Sequence, residues 1–157
     1  MRKLWLAIAF AGIAGSLFAA DPIIGTWKLN AAKSEIPPSA SAPKEITDIY
    51  RELGKDLIEL ERRGIQTDGA AIASKWTWPR EGGIAERTAP DPLPKGMSYI
   101  ELLMDPGAWY VTILQNGKQA TVMQKVISKD GKTMRITIKG MDEKGKPVVQ
   151  LHYFEKQ

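Results

Sequence analysis

The chain has 157 residues, no cysteine, one histidine, and 22 basic against 18 acidic side chains for a formal charge of +4. Without cysteine it has no disulfides, zinc–thiolate sites, iron–sulfur clusters, cysteine nucleophile or lipid-modified cysteine, and one imidazole excludes any metal site that needs two. Its cations run no longer than pairs such as Arg62-Arg63, which argues against a nucleic-acid partner, since that needs a phosphate-facing patch.

Met1-Arg2-Lys3 forms a cationic head, residues 4–17 an apolar run, and residues 16–20 a small-residue exit before Asp21. This is the layout of a secretory signal peptide. The apolar run is short against the roughly 20 residues of a bilayer span. The expectation is therefore cleavage after Ala19 or Ala20 rather than a retained anchor, with a secreted or periplasmic product and no membrane span in it. Residues 1–20 are read as the signal peptide and residues 21–157 as one domain of 137 residues, enough for a real core. Without Arg2 and Lys3, twenty basic side chains face eighteen acidic ones, so the mature charge falls to +2.

Residues 23–30 read as the first strand. Residues 31–44, with Pro37, Pro38 and Pro43 among small residues, are too long for a hairpin turn and read as a loop. Residues 45–52 and 57–66 pair across Leu53-Gly54-Lys55-Asp56, and Thr67-Asp68-Gly69 leads into a strand over 72–78. Residues 79–96 hold four prolines and Gly82-Gly83 and read as a second long loop, although 84–87 is a short strand candidate within it. Either loop could be a lid, a binding loop or a plain surface excursion. Residues 98–104 form the next strand.

From Ala108 the pattern sharpens. Trp109, Val111 and Ile113 alternate with Tyr110, Thr112 and Leu114, and Asn116-Gly117 follows, a strong two-residue hairpin signal. Residues 121–128 return, Lys129-Asp130-Gly131-Lys132 turns, and Met134, Ile136 and Ile138 alternate with polar neighbours at period two. Asp142-Glu143-Lys144-Gly145 makes a third turn before a last strand over 148–155. No proline interrupts the ladder between Pro106 and Pro147. The fold class is all-β: nine or ten antiparallel strands in an up-and-down meander. Such a meander closes most readily into a barrel that leaves no free edge, with a two-sheet sandwich as the alternative.

Gly25-Thr26-Trp27, on the first strand, resembles the opening G-x-W element of lipocalin and calycin barrels. That resemblance implies a glycine that lets the strand bend where the barrel closes and a tryptophan that plugs its floor. A second likeness is to a group of small secreted bacterial proteins, lipocalin-like and mostly uncharacterised. It rests on the Gly25-Thr26-Trp27-Lys28-Leu29-Asn30 opening with its proline-rich sequel, and on Ile127-Ser128-Lys129-Asp130-Gly131-Lys132-Thr133-Met134. It continues in Lys139-Gly140-Met141-Asp142-Glu143-Lys144-Gly145-Lys146-Pro147 and the tail Phe154-Glu155-Lys156-Gln157. The match covers both ends and not residues 65–96. It implies a barrel of about 8–10 strands and an exported location, but no ligand or activity, because fold alone does not fix function.

Trp76 and Trp78 share a strand face, with Trp109 possible across the barrel. Together with Val111, Met134 and Ile136 they would line the interior, either as the wall of an apolar ligand cavity or as plain core filling. Glu59 and Glu61 suggest paired carboxylates, but alternation with Ile58 and Leu60 reads as a solvated outer face. His152 could be the axial ligand of a haem. Its partners on one strand face, Gln150 and Phe154, oppose a face holding Leu151, which tilts the histidine outward. No phosphate loop, nucleophile elbow or calcium loop is present.

The expectation is thus an exported, monomeric, lipocalin-like barrel that binds a small apolar or amphipathic molecule without catalysis or cofactor. The competing reading is a filled barrel that contacts partners through loops 31–44 and 79–96. An enzyme would require a cluster of polar groups inside the barrel.

Overall fold

The computed structural model describes residues 21–38, 42–90, 92–142 and 144–157; the signal-peptide reading falls on residues outside these. Ten antiparallel strands follow in chain order: β1 (Gly25–Leu29), β2 (Pro43–Leu53), β3 (Leu57–Gln66), β4 (Ala71–Pro79), β5 (Gly82–Ala89), β6 (Met97–Asp105), β7 (Ala108–Gln115), β8 (Lys118–Ile127), β9 (Thr133–Met141) and β10 (Pro147–Lys156). Each strand pairs with its neighbour in sequence, and β1 also pairs with β10, so the meander closes into a barrel with no free edge. No helix among the described residues is long and apolar enough to cross a membrane.

The period-two alternation decides which side chains enter the barrel. On β7, Trp109, Val111 and Ile113 are buried, and on β9 so are Met134 and Ile136. Asn116 and Gly117 both take positive φ, 52° and 75°, which is the two-residue hairpin geometry that keeps the twist of the flanking strands. That turn is so tight that β8 begins at Lys118, three residues before the 121 start expected from the sequence.

One end of the barrel is closed by the residues that lead into β1. Ile23 and Trp27 are completely buried, and the Trp27 indole Nε1–H donates to the Ile23 carbonyl at 2.7 Å. The Lys156 Nζ, at the end of β10, donates to the Pro22 carbonyl at 3.2 Å and stands 5.1 Å from the Trp27 ring centroid. Asp21 pairs with Arg80 of the β4–β5 turn at 3.0 Å, and Arg80 also holds Glu52 at 2.8 Å. Residues 21–24 therefore form a strap across this end, anchored to the end of β10 and to the β4–β5 turn. Gly25 begins β1 at φ 134°, and a Cβ there would lie 2.7 Å from Lys156 Cε. That positive φ, which side-chain-bearing residues rarely adopt, is what glycine supplies where the strap bends into the strand.

Both long-loop expectations need correction. Within residues 79–96, Pro79 ends β4 and Gly82–Ala89 is strand β5, so only the turn at 80–81 and the connection over 90–96 lie outside the ladder. Prolines cluster only at the borders of this segment, where the ladder needs no N–H. Within residues 31–44, Ala31–Lys33 forms a 3-10 turn capped by the Asn30 side chain, Glu35 bridges to Leu151 of β10, and Pro43 already belongs to β2.

Candidate functional site

A cavity of about 140 Å³ lies inside the barrel. A water takes roughly 30 Å³ in the liquid, so the space is about five waters large. Its apolar wall includes Leu60, Trp76, Trp78, Ala85, Tyr99 and Val111, with Met123, Ile136 and Ile138 from β8 and β9. Trp76 packs on Tyr99 with ring centroids 4.6 Å apart, and Tyr50 meets Trp78 edge-on at 6.1 Å.

Of the six interior residues expected from the sequence, the structure brings Trp76, Trp78, Val111 and Ile136 to this wall. Trp109 and Met134 are buried but do not line it. Each stands one inward position nearer the strapped end, where Ile127, Met134 and Phe154 face one another in register across β8, β9 and β10. Trp109 and Met134 thus belong to the packed floor, together with Gly25 and Trp27.

His152 overturns the outward placement. It is 6% exposed and lines the cavity, on the same inward phase as Phe154, while Leu151 is half-buried on the other face. Leu151 stands on the outer face of β10, where its backbone pairs with Glu35 of the 31–38 segment. The imidazole Nε2 is 3.1 Å from Gln150 Oε1. Burial, with repulsion from Arg62 behind it and attraction to Asp48 opposing, pushes the pKa of His152 down to about 4. The ring is neutral at pH 7. Although it faces the interior, a cavity near the size that admits one benzene ring does not accept a porphyrin, so haem ligation is not supported by the geometry.

The polar wall is the part sequence reasoning missed. Asp48 is fully buried and accepts from Arg62 Nε and Nη2, both at 2.7 Å. Glu101 and Lys125, 3% and 6% exposed, form a second pair with Nζ to the two carboxylate oxygens at 2.8 and 3.0 Å. Lys125 Nζ also sits 5.0 Å from the Trp78 ring centroid. Burial lowers the pKa of Arg62, but the Asp48 carboxylate more than offsets this and carries it above its ordinary value. Ser74 Oγ accepts from Trp76 Nε1 at 3.0 Å.

Tyr50 is the exception. Its ring lines the cavity and its hydroxyl is buried with no hydrogen-bond partner among the described residues. Burial raises its pKa well above the usual phenol value, and the Asp48 charge adds to this. The signal for this wall was present in the strand phase. Asp48 stands between the inward Ile46 and Tyr50, Arg62 is in phase with Ile58 and Leu60, and Lys125 is in phase with Met123 and Ile127. A charged residue at an inward position is a site candidate.

By contrast, Glu59 and Glu61 point outward, as expected. Arg51 bridges them at 3.3 and 2.9 Å, with Arg63 on Glu61 and Lys75 at 3.7 Å from Glu59. Among the described residues there is no group of three or more His, Asp or Glu side chains placed to hold a metal ion.

No family model matches the chain, and no curated protein matches it. Among solved structures, it is similar to the wild-type fluorescent protein UnaG, with a TM-score of 0.58 at 15% identity over 87% of this chain and 98% of UnaG. A single-site UnaG variant gives 0.59 at 15% identity over 87% and 96%. The siderocalin Ex-FABP, described as functioning through dual ligand specificities, gives 0.44 at 10% identity over 87% and 71%. At this identity the UnaG likeness shows the fold alone: a closed barrel of ten antiparallel strands.

Proposed function

We propose that this protein is an exported barrel that binds a small apolar or amphipathic molecule in its interior, without catalysis. The observation that carries the reading is the cavity itself. It combines an aromatic and aliphatic wall with a few fixed polar groups, the composition of small-molecule sites. The barrel is closed at one end by the 21–24 strap, so space was left open above a packed floor rather than lost through poor packing.

The interior does hold the polar cluster that an enzyme would require. Its charged members are committed to one another, however: both Asp48 oxygens to Arg62 and both Glu101 oxygens to Lys125. Ser74 and His152 bond to Trp76 and Gln150, not to each other, so among the described residues that line the cavity no hydroxyl is paired with a base. This arrangement suits recognition. The cationic head and apolar run before Asp21, and the likeness of the terminal motifs to secreted lipocalin-like proteins, support export. The absence of a free strand edge supports a monomer.

Native mass spectrometry of the protein purified from its own cells tests the proposal. A bound small molecule is expected in the wild type and not in Ala85→Phe, which fills the cavity from β5. A bare protein, or an adduct that the variant retains, would contradict an interior site.

A further inference from the structure

We infer that the cavity selects an uncharged, planar group that offers a hydrogen-bond acceptor to Arg62, and that it rejects anions and cations of the same shape. The inference rests on the proposed binding role and names the chemistry that role would recognise.

The charge balance of the wall is the first ground. Arg62 is neutralised by Asp48 behind it, Lys125 by Glu101 beside it, and His152 is neutral at pH 7. An anion would find no uncompensated cation, and a cation no uncompensated carboxylate. Either would bring an unpaired charge into a buried space or would have to break a buried pair, and both are costly.

Donor and acceptor inventory is the second ground. Each Glu101 oxygen accepts once from Lys125, and Ser74 Oγ accepts once from Trp76. A donor remains on the wall: the Asp48 pair engages Nε and Nη2 of Arg62 and leaves Nη1. Arg62, 29% exposed, lines the cavity. Shape is the third ground. A cavity of about 140 Å³ is close to the roughly 150 Å³ apolar cavity known to take benzene, and Trp76, Trp78 and Tyr99 offer ring faces to a flat guest.

Benzamide, benzoate and benzamidinium share one size and shape and differ in charge, so they separate these effects. Titrated into the isotopically labelled protein and followed by NMR, benzamide is expected to bind at least tenfold more tightly than either ion. Asp48→Asn leaves the Arg62 charge uncompensated, so benzoate should gain at least tenfold and overtake benzamide. Glu101→Gln should do the same through Lys125 and serves if Asp48→Asn does not fold. Wild-type binding of benzoate or benzamidinium as tight as benzamide would overturn the inference while leaving an interior site standing. Binding of none of the three would remove both.

Discussion

His152 shows how one residue reports its surroundings. Its neighbours in sequence suggest an exposed strand position, yet it is the inward member of β10 and borders the cavity. The folded state holds its pKa near 4 against 6.5 in the open chain. Between these values the unfolded chain binds more protons than the native one, so stability is lost as pH falls from about 6.5 to about 4. The group contributes up to ~3 kcal/mol across that window. Denaturant titrations at several pH values should show wild type losing more stability over this range than His152→Asn. Parallel losses in the two proteins would mean that the imidazole is not buried as described.

At the scale of elements, the ladder from Ala108 onward was legible because alternation and turn chemistry agree there. Asn116-Gly117 fixes one hairpin, and no proline interrupts the strands. β5 was obscured because its ends carry Gly82-Gly83 and Pro90, residues that signal loops, and because its inward side chains are as small as Ala85. The same features make it the weakest part of the wall. It shares three register pairs with β4, with a shift between Lys75 and Trp76, and four with β6, while β9 and β10 share nine. Hydrogen exchange in native conditions should expose the amides of residues 84–87 before those of 148–154, since short ladders open at lower free energy. Equal protection in the two strands would contradict this ranking.

For the molecule as a whole, the sequence conveyed closure and the plugged floor, but not whether space remained above it. That depends on how far side chains from opposite walls reach, which no alternation pattern encodes. Nor did composition reveal that four charged residues face inward, because in number and spacing they look like ordinary surface charges; only register against neighbouring strands brings Asp48 to Arg62. The division between a packed floor (Ile23, Trp27, Trp109, Met134, Phe154) and a polar, aromatic chamber (Tyr50, Arg62, Trp76, Trp78, Glu101, Lys125) is the feature on which function turns. The competing picture, a filled barrel working through its loops, puts any contact outside. Mapping backbone chemical-shift changes on saturation with benzamide decides between them. The account predicts the largest changes at Trp76, Ala85, Tyr99 and Lys125, with the floor strap of residues 21–24 unmoved. Changes concentrated in residues 31–38 and 92–96, with the chamber silent, would contradict it.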